Sequence, residues 1–232
     1  MSDEFSTKYS NQSGILDISL YDYLDIAIIG VGSIGSFLAF QLNKLGFTNL
    51  VLIDFDVVEE KNVPTQLYCN RDIGNHKVTA LKDYLVGNIT SYKGRVTETN
   101  TISADIACVC VDSLKQRNII FKSIMNSRKE RNIPKLLIDG RMHRLVFEVY
   151  TIPLADIRAR AGYVLSLEQK EFGGNCTEKG IIQNVSALTA CMIEQIRKVV
   201  DNKPYKEAIV CDFEQYKFLQ SNMPELKTKR KK

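Results

Sequence analysis

The run Gly30-Val-Gly32-Ser-Ile-Gly35 satisfies G-x-G-x-x-G between an apolar stretch and an amphipathic one. This spacing suits phosphate binding. Gly30 permits a tight turn, Gly32 lets a phosphate approach the backbone, and Gly35 lets helix and strand pack closely. An anion there would meet free N–H groups at a helix N-terminus, where the dipole favours negative charge. Asp54 follows 19 residues after Gly35, where the end of a second strand places a carboxylate against a ribose. The motif alone does not choose between NAD, FAD and ATP. A dehydrogenase explains Gly30 to Asp54 but leaves a surplus, because Asp56, Asn62 and Gln66 follow within one loop and Lys77 closes it.

These residues need elements to hold them. "LDIAIIG" (24–30) reads as a buried parallel strand and 33–46 as a helix, with Ile34, Phe37, Leu38, Leu42 and Leu45 on one stripe broken by Gln41. "NLVLIDF" (49–55) is the second strand. A polar loop (56–75) and a helix over about 76–87 follow. "RVTETN" (95–100) is expected as a weak third strand, 105–111 as a strong fourth, 113–127 as a helix and 134–140 as a fifth strand. Residues 141–152 lie too close behind that strand for a crossover helix, so they should pair antiparallel with it. Residues 153–180 read as irregular, 181–200 as a helix and 207–218 as a last strand. The fold class expected is α/β, a Rossmann-like, mostly parallel sheet extended by antiparallel strands in the C-terminal part. Residues 1–20 form an arm, 21–218 one domain and 219–232 a basic tail.

Composition excludes several classes. The net charge of +4 is concentrated in the tail: Lys227, Lys229, Arg230, Lys231 and Lys232 lie in the last six residues, so the body is close to −1. A near-neutral body does not suit a nucleic-acid binder. The tail reads as a solvated arm, with contact to nucleic acid the lesser reading. The first twenty residues lack a signal-like apolar region, and no apolar run approaches the roughly 20 residues that span a bilayer. A cytoplasmic chain with free thiols is expected. No Cys-x-x-Cys pair occurs among the six cysteines, and Cys108 and Cys110 read as small core residues on one strand face.

The order of these pieces resembles the ubiquitin-activating-enzyme superfamily, in its small ThiF- and MoeB-like adenylyltransferase branch. The segments that carry the resemblance are Asp54-Phe-Asp56-Val-Val, Asn62, Gln66, "GNHKVTAL" with Lys77, "VCVDSLKQR" with Asp112 and Arg117, and "NCTEKGIIQNVSALTACMIEQIRKVV" (175–200). The resemblance implies ATP-dependent adenylation of a carboxylate, typically the C-terminal glycine of a ubiquitin-like or sulfur-carrier protein, and a homodimer. It implies that Gly30, Gly32 and Gly35 hold phosphates and Asp54 the ribose. Asn62, Gln66 and Lys77 would then face the triphosphate, and Asp112 would bind Mg²⁺. Asp56 shares that loop. Cys176 falls where sulfur-transferring or thioester-forming relatives carry a reactive cysteine, in a polar, glycine-rich loop with Lys179 nearby.

Bland roles stand beside these. Asp56 and Asn62 suit turn caps, Asp112 suits the N-cap of the helix at 113, and Arg117 suits a solvated helix face. His76 and His143 read as surface or supporting residues. Lys77 opposes the dipole at a helix start, which favours a phosphate partner. Three departures from the family pattern are visible. Thr65-Gln66 stands for its Arg-Gln pair, the N-terminal R-Y-x-R-Q segment is absent, and both Cys-x-x-Cys pairs are absent. Arg71 and Arg141 are the candidates for a substitute cation. A non-catalytic nucleotide- or partner-binding relative and a tRNA-modifying adenylating enzyme are the alternatives.

Overall fold

Short apolar runs, each closed by a glycine or a polar residue, line up as the strands of one sheet in the computed structural model, which describes residues 8–12, 14–126, 133–168 and 181–223. In chain order the elements are β1 (Asp25–Ile29), α1 (Ser33–Lys44), β2 (Asn49–Asp54), α2 (Lys77–Lys82), β3 (Asn88–Lys93), β4 (Ile106–Val109), α3 (Leu114–Asn126), β5 (Leu136–His143), β6 (Val146–Pro153), α4 (Ile157–Leu167), α5 (Ile182–Val200), β7 (Ala208–Asp212) and β8 (Lys217–Ser221). The eight strands run in the order β3-β2-β1-β4-β5-β6-β7-β8. The first five are parallel, and β6, β7 and β8 join antiparallel beyond β5. This is the α/β sheet that the alternation of strand and helix patterns implies.

Alternate residues of each central strand feed two cores, as the period of a strand requires. Ile26 and Ile28 of β1, Cys108 of β4 and Ile138 of β5 face α1, α2 and α5. Ala27, Ile29, Ala107, Val109 and Leu137 face α3 and α4. Helix α5 lies beside α1 and contributes Val185, Leu188, Met192 and Ile196, all fully buried. Gln41, the polar break in the α1 stripe, accepts a hydrogen bond from Thr189 of α5 at 3.2 Å. Cys108 and Cys110 both lie buried in the first core, where burial pushes the Cys108 thiol up to about 12.

Four expectations need correction. The third strand is 88–93, not 95–100; as an edge strand it buries only Ile89, so it carries little apolar periodicity. Residues 157–167 are helical, not irregular, with Asp156 as an N-cap accepting from the Arg158 and Ala159 N–H groups. The last strand is a hairpin, because the Asp212 side chain accepts from Glu214 and Gln215 N–H and turns the chain. Residues 141–143 belong to β5 rather than to the strand that returns.

Among the described residues of the arm, Tyr9, Leu16 and Ile18 are buried, more than its polar sequence implies. Tyr21, just beyond it, is buried too and stacks on Phe47 with ring centroids 4.5 Å apart. Among the described residues no helix is long and apolar enough to cross a membrane.

Candidate nucleotide site

The site is built at the carboxyl ends of the parallel strands, where β1 and β4 separate toward different helices. Gly30 closes β1 at φ 86°, a left-handed conformation that favours glycine. A Cβ on Gly35 would fall well inside contact with the Gly30 carbonyl oxygen, so α1 abuts the turn only because that position has no side chain. Gly32 is the N-cap of α1 and supplies no side chain to the N–H groups of the first turn. A Cβ there would meet nothing nearer than the Gln66 amide nitrogen, at 4.0 Å. The backbone at Gly32 is therefore open to an approaching group, and Gln66 is its nearest side chain.

Asp54 ends β2 and is buried. Its Oδ2 accepts from the Val31 N–H at 2.7 Å and its Oδ1 from the Asp56 N–H at 2.8 Å. Both oxygens are thus fixed by backbone donors, and the carboxylate is held against the glycine turn. The loop after Asp56 folds back over that turn. Tyr68 donates its hydroxyl to the Val31 carbonyl at 2.7 Å, and Leu67 N–H donates to Ser36 Oγ of α1 at 3.1 Å. Burial, with Asp54 close by, pushes the Tyr68 hydroxyl well above its ordinary range, so it stays a donor at any physiological pH. Gln66 Oε1 is buried without a partner. Such an orphan is costly unless something reaches it, and the amide nitrogen of the same side chain lies beside Gly32.

Lys77 opens α2 and is 6% exposed. Its ammonium pairs with Asp56 Oδ2 at 3.0 Å, and its N–H donates to the Asp56 carbonyl at 3.0 Å. Asp56 therefore positions Lys77 instead of capping a turn. Asn62 does have its bland role: its Oδ1 accepts from the Glu59 N–H at 2.9 Å within a capping box. At the start of α3 the Ser113 Oγ accepts from the Gln116 N–H at 3.3 Å. Asp112 is exposed directly beyond β4. Cys176 and Lys179 lie outside the described residues, as does the basic tail.

Arg117, expected on a solvated face, is buried instead. Its guanidinium pairs with Asp139, which is 0% exposed, and donates to the Val111 and Gly140 carbonyls. Arg141 holds the other Asp139 oxygen at 2.8 Å, and Tyr163 donates to that same oxygen at 3.1 Å. Burial, then Arg141, lowers the Arg117 pKa to about 10, which still leaves it charged at neutral pH. This cluster clamps the end of β4, and so the start of the Asp112 segment, to β5. The sequence signal for it was Asp139 itself, a carboxylate inside the apolar strand "LLIDG" that cannot be buried unpaired.

Neither candidate for a substitute cation points to the glycine turn. Arg141 is spent on Asp139, on Ser166 at 3.0 and 3.2 Å, and on the Tyr150 ring at 4.3 Å. Arg71 lies over the Tyr84 ring at 5.5 Å and beside Asp72 at 3.9 Å.

The sequence pattern of the ThiF family matches residues 20–232. A ubiquitin-like modifier-activating enzyme 5 from Dictyostelium discoideum is 24% identical over 147 residues, 53% of this chain and 39% of that relative. The enzyme of the same name from Caenorhabditis elegans is 30% identical over 112 residues, 40% of this chain and 27% of that relative. The matched stretch thus spans well under half of these relatives' length. Among solved structures, E. coli MccB with ATP aligns at TM-score 0.73 and 15% identity, covering 97% of this chain and 74% of that one. The E. coli tRNA N6-threonylcarbamoyladenosine dehydratase TcdA with ATP aligns at 0.67 and 16%, covering 87% and 96%. At these identities the structures establish a shared fold.

Proposed function

We propose that this chain, which belongs to the ThiF family, binds ATP at its glycine turn and transfers the adenylyl group to a carboxylate. The observation that carries this reading is Lys77, a buried ammonium at a helix start, steered by Asp56, whose own N–H donates to Asp54 at the end of β2. A nicotinamide dehydrogenase has no use for that pair. The proposed acceptor is the C-terminal glycine of a ubiquitin-like or sulfur-carrier protein, supported by the relatives named as ubiquitin-like modifier-activating enzymes.

In the proposed reaction the acceptor's carboxylate oxygen attacks the α-phosphorus, an acyl–adenylate forms and pyrophosphate leaves with the displaced electron pair. Negative charge grows on the phosphate oxygens, so preorganised cations and N–H donors stabilise the transition state. The N–H groups of the first turn of α1 and the Lys77 ammonium are the donors this chain supplies, and Gln66 orients the groups beside Gly32. Asp54, fixed by two backbone N–H groups, has its carboxylate edge set for the ribose hydroxyls.

Among the described residues no three His, Cys, Asp or Glu side chains converge as a self-sufficient metal site. A single carboxylate with nucleotide oxygens and water is the donor set Mg²⁺ prefers, and exposed Asp112 fits it. Magnesium held there would neutralise phosphate charge.

A second reading is favoured by one observation. Thr65 replaces the family arginine, while Arg71 and Arg141 are engaged elsewhere, which fits a relative that binds nucleotide without chemistry. Incubation with ATP, Mg²⁺ and diglycine-ended carrier proteins, followed by mass spectrometry, separates the two. Adenylation predicts an AMP group on the carrier's C-terminal carboxylate. Nucleotide binding with no adduct on any carrier selects the second reading.

A further inference from the structure

We propose that Arg95, laid over the Phe55 ring, forms the outer wall of the slot for the nucleotide base and makes this site prefer a purine. The inference rests on the ATP reading and adds the residue that would choose the base. Leu50, Leu52 and Asp54 share the face of β2 turned toward α1. Phe55, the next residue, emerges from the opposite side. A base joined to a ribose at Asp54 therefore has Phe55 beside it at the carboxyl edge of the sheet. Val111, which follows β4, comes within 3.1 Å of the Cβ position at Gly30, at the same end of the neighbouring strand β1.

Phe55 is 47% exposed, large for a phenylalanine. Arg95 covers it, with the guanidinium carbon 4.0 Å from the ring centroid. The backbone on both sides of Arg95 is anchored. Gly94 N–H donates to the Asp54 carbonyl at 3.1 Å, while Val96 is buried and its carbonyl accepts from Gln116 Nε2 at 2.7 Å. Arg95 is thereby carried at a fixed place beside the ribose carboxylate. No carboxylate among the described residues forms an ion pair with it. An unpaired planar cation resting on an aromatic ring is a stacking surface for a base, and a two-ring base covers more of it than a one-ring base does.

Calorimetry of the full chain with ATP, CTP and inorganic tripolyphosphate tests this, comparing wild type with Arg95→Ala and Arg95→Lys. Arg95→Ala is expected to weaken ATP about tenfold, to narrow the preference for ATP over CTP, and to leave tripolyphosphate affinity unchanged. Arg95→Lys keeps the charge but not the plane, and should resemble Arg95→Ala. Equal losses for ATP and tripolyphosphate, or full rescue by lysine, would make Arg95 a phosphate cation and overturn the proposal. ATP affinity unchanged in Arg95→Ala would overturn it as well. A wild-type chain that binds no nucleotide at all would instead remove the ATP site, and the slot with it.

Discussion

Replacing Asp139 by alanine is expected to be the most destabilising single change at the site. Asp139 is fully buried, and it is shared by Arg117, Arg141 and the Tyr163 hydroxyl. Removing it leaves the Arg117 guanidinium buried without its counter-charge and Arg141 with only Glu148, 4.0 Å away. Breaking a buried pair in this way costs about 3–5 kcal/mol, much more than the pair itself contributes over an apolar substitute. For a chain of this size that corresponds to a fall in melting temperature of roughly 6–20 °C. Thermal unfolding at neutral pH measures it. A shift of a degree or two would mean that water or other acceptors already satisfy the arginines. Asp139→Asn should retain part of the loss, because an amide oxygen still accepts but carries no charge.

The second large effect is expected at Asp112. Alanine there should leave the fold intact, since the residue is exposed and the Ser113 hydroxyl still accepts from the Gln116 N–H in the first turn of α3. Catalysis should suffer instead. Losing one preorganised electrostatic group from an active site typically lowers turnover by about 10²–10³-fold. A magnesium titration of single-turnover AMP transfer distinguishes this role from a structural one. The variant should need far more Mg²⁺ to reach half its maximal rate, with an unchanged melting temperature. A lowered rate at an unchanged Mg²⁺ requirement would remove Asp112 from the metal site.

Much of this arrangement is legible in the sequence because it rests on backbone geometry. Gly30 is required by its left-handed turn beside the Cys110 backbone, Gly35 by the close approach of α1 to that turn, and Asp54 by the end of β2; these positions tolerate few alternatives. The polar loop was harder. Asn62 as a local cap on Glu59 is open to reading, but nothing in "EEKNVPTQLY" announces that Tyr68 reaches back to Val31. That contact depends on how the loop closes, which local pattern does not encode. Helix α4 was hidden for a different reason. Gly162 lowers its helical propensity, yet a Cβ there would come within 2.7 Å of Met223 Cβ, so the glycine serves packing against the chain's last described residue. Arg117 shows the limit most clearly. Its partner lies 22 residues away, on strand β5, and a charged residue on an otherwise amphipathic helix reads as exposed until that partner is known.

The glycine turn, Asp54, Lys77 and Asp112 are proposed to form one adenylating centre despite the threonine at position 65. ATP–pyrophosphate exchange measures the proposed step without requiring any later transfer. With Mg²⁺ and a carrier ending in diglycine, labelled pyrophosphate should enter ATP, and the signal should vanish without the carrier or in Lys77→Ala. ATP binding that stays intact while no diglycine-ended carrier supports exchange would contradict the account.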